Sequence, residues 1–254
     1  MKKDNLLRFP IPILIILFLL TGIFAVFASL VITKKVKLNP YFSRSYTIRG
    51  VDVSNYQGEI DWEVLASQDI DFAFIKATEG SSHQDPSFEA NWKKASETDL
   101  AIGAYHFFSF DSPGSTQAQW YMETVGDLSG KLVPVIDVEY YGNKAANPPS
   151  TEEVAKQLQD CLTLLEEEYG KKPIIYTTYK VYRRYIKDNF SDYPLWIRNV
   201  YYSPDLDMKG KWQFWQYSDT AILEGYVGKE PCIDLNVFYG SREEFENYLI
   251  HTNE

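Results

Sequence analysis

The sequence predicts an α/β barrel domain carried behind one membrane-spanning helix. Three observations carry that expectation. Eight short apolar runs alternate with helical patterns from Ile48 onward; the 25 residues from Phe9 to Thr33 hold no charged side chain; and no internal repeat, low-complexity tract or second domain interrupts the rest of the 254 residues. A single barrel of this size is ordinary. With 45% hydrophobic and 24% charged residues, the chain belongs among folded proteins rather than disordered ones.

The uncharged segment comes first. A helix of 25 residues at about 1.5 Å per residue is roughly 37 Å long, enough to cross a hydrocarbon core of about 30 Å. Pro10 and Pro12 fall in its first turn, where a missing N–H costs little. A cleaved signal peptide has an apolar core of only about 7–15 residues, and Ala25-Val26-Phe27-Ala28 is a poor cleavage site. Residues 9–33 are therefore expected to be an uncleaved signal anchor in the plasma membrane, contacting the lipid bilayer, with residues 1–8 as a short cytoplasmic N-terminus. Three basic side chains lie on each side, so charge alone does not orient the span. Residues 34–47 are polar and lack periodicity, which reads as a tether.

Strands are expected at 49–53, 72–77, 101–108, 132–138, 173–178, 195–198, 211–217 and 232–237, each a short run rich in β-branched and aromatic residues. Helices are expected after Asp85-Pro86 and Ser112-Pro113, and after the capping boxes Ser150-x-x-Glu153 and Ser241-x-x-Glu244. From Ser150 to Tyr169, Val154, Leu158, Cys161, Leu162 and Leu165 share one helical face, which makes Cys161 a core residue. Strands alternating with helices imply parallel pairing and a barrel, whose chemistry gathers at the C-terminal ends of the strands.

Charge is unevenly distributed. Residues 38–254 keep 19 of the 25 basic and 34 of the 35 acidic side chains, a net charge of −15 within a whole-chain value of −10. That excludes nucleic acid as a bulk partner, since phosphate binding needs a basic surface. Two cysteines make no disulfide scaffold, and three histidines without ligand spacing argue against a metal centre. No cofactor is expected.

The sharpest chemical signal is Val133-Pro134-Val135-Ile136-Asp137-Val138-Glu139. Side chains alternate along a strand, so Asp137 and Glu139 project to one face, their Cα atoms roughly 6.5–7 Å apart. Burial and mutual repulsion should push their pKa values apart, which suits general acid catalysis; the bland alternative is that both cap the next loop. Asp52 and Asp234 also lie in apolar strands, the first and the last, which become neighbours if the barrel closes. Four carboxylates at one rim imply acid chemistry, with carboxylate-held magnesium the weaker reading. Aromatic residues form 16% of the chain. Tyr105, Phe107, Tyr176, Trp196, Trp215 and Tyr217 fall in or at the ends of strands, and rings beside acids suit a sugar, although each ring taken singly is better explained by the core. Acids with aromatics point to glycoside hydrolysis.

The blocks Gly50-Val51-Asp52-Val53-Ser54, Ile75-Lys76-Ala77-Thr78-Glu79-Gly80, Gly103-Ala104-Tyr105-His106-Phe107, Asp137-Val138-Glu139, Ile175-Tyr176-Thr177, Leu195-Trp196-Ile197, Trp215-Gln216-Tyr217-Ser218 and Asp234-Leu235-Asn236-Val237-Phe238 occur in that order. In them the chain from about Ile48 to Leu249 resembles the glycoside hydrolase family 25 muramidases, the Chalaropsis-type lysozymes. The resemblance implies a modified, irregular (β/α) barrel with an incomplete helix ring, occupying residues 48–254. It implies cleavage of the β-1,4 bond between N-acetylmuramic acid and N-acetylglucosamine in peptidoglycan glycan strands. Glu139 would be the general acid, with Asp137, Asp52 and Asp234 the other acids of the site. A retaining, substrate-assisted route is expected, an inverting one being the alternative. A non-catalytic glycan-binding module and a glucosaminidase on the same fold are the rival functions. After Leu195-Trp196-Ile197 the family commonly has a small residue, where this chain has Arg198, a candidate contact for a rim carboxylate or an anionic part of the glycan. Because peptidoglycan lies outside the plasma membrane, the N-terminus is expected inside and the catalytic domain outside. The chain is expected to act as a monomer.

Overall fold

The computed structural model describes residues 10–251, so the expected cytoplasmic segment 1–8 lies outside the described residues. Two compact units meet between Leu38 and Asn39. The first contains helix α1, Ile11–Ile32, which has Pro10 at its N-cap and Pro12 in its first turn and buries none of its side chains. It ends in a left-handed turn at Lys34, where φ is 57°. Val36 N–H returns to Leu30 C=O at 3.0 Å, which satisfies a terminal carbonyl. Among the described residues α1 is the one helix long and apolar enough to cross a membrane.

The second unit is a closed barrel of eight strands. They are β1 Arg49–Val53, β2 Phe72–Glu79, β3 Ala101–Phe107, β4 Val135–Val138, β5 Ile174–Thr178, β6 Leu195–Arg198, β7 Phe214–Ala221 and β8 Ile233–Phe238. Each strand pairs with its neighbours in sequence, and β1 closes the ring against β8. Strands β1 to β7 run parallel, as the alternation of strands and helices predicts. The expectation of parallel pairing fails at β8, which is antiparallel to both β7 and β1. The reason is the connection. A parallel crossover needs a dozen or more residues, usually including a helix. Residues 222–232 are too few, and they fold back as a hairpin whose Tyr226–Val227 pairs with Glu59–Ile60.

Full helices follow only three strands: α2 Phe88–Ala95 after β2, α3 Gly114–Val125 after β3 and α4 Thr151–Tyr169 after β4. After β5 a short α turn, Tyr179–Val181, runs on into a π-helical turn, Tyr182–Ile186, the connections after β1 and β6 carry single turns and that after β7 no helix, so the helix ring is incomplete. Val154, Leu158, Cys161, Leu162 and Leu165 of α4 are all buried, as their spacing predicts. Cys161 and Cys232 are both free thiols. Ser241 and Glu244 form a complete capping box, and Ser150 accepts from Glu153 N–H at 3.2 Å. The Asp85-Pro86 signal falls short of its helix. Ser87 occupies the N-cap of α2, while Asp85 accepts from Ser87 N–H at 2.9 Å.

Residues 39–47, read from sequence as the end of the tether, belong to the barrel unit instead. Asn39–Phe42 and Ser43–Ser45 form short helical turns. Asn39 is buried and its amide donates to Asn199 C=O at 2.7 Å and Tyr217 C=O at 2.9 Å. Tyr46 packs edge-on to Trp212 at 5.5 Å. These contacts are long-range, so no local periodicity announces them.

The core has three parts. Phe72, Phe74, Trp196, Phe214 and Phe238 plug the barrel interior, with Phe74 and Trp196 centroids 4.8 Å apart. A second cluster packs α2, α3 and α4 on the outer face of the sheet. A third lies outside β6 and β7 around Trp212, Trp215 and Tyr217. The tightest helix contact is between α3 and α4, where a Cβ on Gly114 would lie 1.7 Å from Gln157 C=O. Backbone cannot yield as a flexible side chain can. Gly114→Ala is therefore expected to destabilise the chain by at least about 2–3 kcal/mol, checked by urea unfolding of the detergent-solubilised protein followed by tryptophan fluorescence.

Candidate active site

Strand parity builds the site. On β4, Ile136 and Val138 face the helices and belong to the outer cluster, which turns Asp137 inward. Glu139 follows two positions on, just past the strand end. On β1, Val51 and Val53 point outward and Asp52 inward. The reversal of β8 then matters. Asp234 sits near the beginning of β8, yet antiparallel pairing places it directly opposite Asp52 near the end of β1. All four acids line one groove of about 230 Å³, at the end of the barrel where β1 to β7 finish.

Among the aromatic candidates, Tyr105, Phe107, Tyr176 and Trp196 line this groove. Trp215 and Tyr217 do not. They flank Gln216 on β7, and because Gln216 points inward, both rings are turned into the outer cluster against Tyr46 and Trp212. Their assignment to sugar binding is corrected on that ground. Arg198 also stays out of the groove lining; its guanidinium donates to Asp219 at 2.7 Å. His106 points away from the groove too, its ring held between Thr78 at 2.8 Å and Gln117 at 3.0 Å. Burial pushes its pKa down to about 4, so it stays neutral.

Two amides missed by the sequence reading organise the acids. Asn236 donates to Asp52 Oδ2 at 2.7 Å, and its own carbonyl oxygen accepts from the Trp196 indole at 2.9 Å. Gln216 donates to Asp52 Oδ2 at 2.9 Å and to Asp234 Oδ2 at 3.1 Å, while Tyr176 O–H donates to its Oε1 at 2.9 Å. The signal for both was parity: each lies two residues from an inward-facing position on its strand. Lys76 also lines the groove, paired with Glu79 at 2.8 Å and 4.9 Å above the Phe107 ring. Tyr56, Gln57 and Glu230 complete the rim. Among the described residues no group of three or more His, Cys, Asp or Glu side chains is arranged to hold a metal ion.

Burial raises the pKa of every acid in the ring. For Asp137 it does so well beyond the usual carboxylate range, reinforced by the charge of Glu139 and opposed by Lys76. Glu139 is raised by burial, with Arg198 pulling it back and Asp52 adding to the rise. Asp52 is raised by burial against the donors Asn236 and Gln216. Asp234 is pushed up to about 9 by burial, then by Asp52 and Asp219. The consequence for stability has a definite sign. Between the ordinary Asp value and about 9, folded Asp234 holds a proton that the unfolded chain has released, so stability falls as pH rises through that window. Asp234→Asn removes this loss. Its melting temperature is expected to exceed that of the wild type by a margin that widens from pH 5 to pH 9, measured by differential scanning calorimetry.

The family model for glycosyl hydrolases family 25 matches residues 51–226. The structure of a family 25 glycosyl hydrolase from Bacillus anthracis is similar to this chain at a TM-score of 0.76 and 53% identity, covering 81% of this chain and 94% of that one. YegX of Escherichia coli K12 is 39% identical over 211 residues, 81% of this chain and 74% of YegX. Lysozyme M1 of Streptomyces globisporus is 31% identical over 204 residues, 76% of this chain and 68% of that protein. A family match across most of the barrel, on top of a groove ringed by four acids, leads to one conclusion: the chain belongs to glycosyl hydrolase family 25.

Proposed function

We propose that this glycoside hydrolase is a membrane-anchored lysozyme, an N-acetylmuramidase that hydrolyses the β-1,4 bond between N-acetylmuramic acid and N-acetylglucosamine in peptidoglycan. The observation that carries the mechanism is Oδ1 of Asp137, which is buried without a hydrogen-bond partner in the groove that Glu139 shares. A buried acceptor left unpaired costs free energy unless a ligand supplies the donor. The acetamido N–H on the sugar is such a donor.

Burial raises the pKa of both Asp137 and Glu139 and their charges repel in the same groove, so the two carboxyls titrate as a pair that shares a proton. Burial favours that proton on Asp137 while the groove is empty. A hydrogen bond donated to Asp137 stabilises its ionised form and leaves the proton on Glu139. Glu139 then protonates the glycosidic oxygen as the C1–O bond breaks. The acetamido carbonyl oxygen, oriented by Asp137 through the N–H, attacks C1 from the opposite face and forms a cyclic oxazolinium intermediate. Glu139, now a carboxylate, removes a proton from water, whose oxygen adds to C1 as the C1–O bond of the oxazolinium breaks, regenerating the acetamido group and restoring the original configuration. Asp52, held by the Asn236 and Gln216 amides, borders the groove and favours the positive charge that develops at C1, while Asp234 beside it keeps its proton.

Glu139→Gln is expected to reduce turnover of purified peptidoglycan by at least about 100-fold while the protein stays folded. Asp137→Asn should be similarly impaired. Glycan strands whose muramic acid has been N-deacetylated should resist the wild-type enzyme, because the internal nucleophile is gone. Mass spectrometry of the digest reads both results, and products with reducing-end muramic acid distinguish this activity from a glucosaminidase. Normal lysis by Glu139→Gln would remove the assignment.

The span Ile11–Ile32 and an extracytoplasmic substrate together support a single-pass topology with the N-terminus inside. Residues 39–251 would then be digested by protease added to intact spheroplasts, whereas protection until lysis would reverse the orientation. The barrel acts as a monomer in this reading, and no cofactor enters the reaction.

A further inference from the structure

The rings that line the groove differ in what they are free to do. Tyr176 and Trp196 pack against each other at 4.6 Å and are 6% and 2% exposed. Phe107 lies beneath the Lys76 ammonium and edge-on to Tyr141 at 5.7 Å. Tyr105 is held in the barrel wall. Tyr56 is different. It borders the same groove with 54% of its surface exposed, and among the described residues its ring makes no aromatic contact and its hydroxyl no hydrogen bond.

An exposed ring is usually a mobile one, but the backbone around Tyr56 is clamped. Its N–H donates to Ser54 Oγ at 3.3 Å, within a capping box closed by Gln57 Oε1 accepting from Ser54 N–H at 2.9 Å. Its carbonyl accepts from Glu230 N–H at 3.3 Å. Gln57 also donates to Cys232 C=O at 3.2 Å. The two loops touch at a pair of glycines. Gly58 bridges to Val227 in the left-handed region at φ +67°, and a Cβ on Gly228 would lie 2.3 Å from both Gln57 C and Tyr56 O. A rigid ring loses little entropy when it is covered. The faces of a sugar ring are apolar, while its hydroxyls suit the carboxylates and amides deeper in the groove.

We propose that Tyr56 is the stacking platform for one sugar unit of the glycan strand, and that the Gly58–Gly228 contact exists to hold it in place. The inference rests on the muramidase reading and adds a residue that governs affinity rather than chemistry. Tyr56 stands at the rim, whereas Asp137 and Glu139 act at the scissile bond.

The test is steady-state kinetics of the full-length protein in detergent on soluble, uncrosslinked glycan strands. Tyr56→Ala is expected to raise KM by roughly tenfold and leave kcat within about twofold. Tyr56→Phe and Tyr56→Trp should retain wild-type KM, since stacking needs the ring and not the hydroxyl. Gly228→Ala, which displaces the Tyr56 backbone, should raise KM alone but add nothing to Tyr56→Ala in the double variant. Calorimetry identifies a Gly228→Ala protein that fails to fold, in which case the Tyr56 series decides. An unchanged KM in Tyr56→Ala, or a fall in kcat at constant KM, overturns the proposal. Wild-type protein that leaves these strands uncut overturns the muramidase reading itself, a result visible before any variant is compared.

Discussion

Four carboxylates in one barrel mouth are the constraint on which the rest of the site depends. Removing an ionised carboxylate from water costs several kcal/mol even after relaxation, so each acid must be given donors or a proton. The barrel does both, and divides the acids in doing so. Asp52 receives two amide donors and Asp234 one, with Gln216 shared between them. Asp137 keeps one oxygen with no donor at all. The β1/β8 half is thereby built to remain in place, while the β4 half is left to exchange a proton. Environment separates the roles of chemically similar groups, as general acid catalysis requires.

That division exists because the last strand is reversed. Had β8 run parallel, Asp234 near its beginning would lie at the opposite end of the barrel from Asp52, and Asn236 would have no carboxylate to meet. The short connection 222–232 forbids the crossover, and the hairpin that replaces it also supplies Glu230 to the rim and Gly228 to the contact with the Tyr56 backbone. One local limit on chain length thus determines the fourth acid, the second amide and the wall beside Tyr56. The missing helix after β7 follows from the same limit.

The parts legible in the sequence are those governed by short-range periodicity. The helical stripe on α4 and the inward parity of Asp137 and Glu139 needed only spacing. The pairing of Asp52 with Asp234 needed closure of the barrel, which the number of strands implied. Illegible were features settled at a distance. Trp215 and Tyr217 read as mouth residues until β7 is given a phase, and Gln216 gives it one through hydrogen bonds to strands β1, β5 and β8. Asn39 joins the barrel through carbonyls of Asn199 and Tyr217, more than 150 positions away along the chain, so nothing local announces its burial.

The aromatic content changes meaning under the same logic. Its abundance suggests a sugar groove, yet most of the rings along the strands are structural, and two of those in the groove act through their polar tips. The Trp196 indole N–H fixes which way the Asn236 amide points, and the Tyr176 hydroxyl does the same for Gln216. With those amide oxygens occupied, the NH2 groups must face Asp52 and Asp234. Trp196 and Tyr176 are therefore tied to the acids one step removed from the substrate, as supports that orient the groups touching the carboxylates. A glycan strand entering the groove meets a surface whose apolar rings are already largely committed to one another. Its affinity must then come from a few rim contacts, because the −15 charge of residues 38–254 opposes long-range attraction to an anionic glycan.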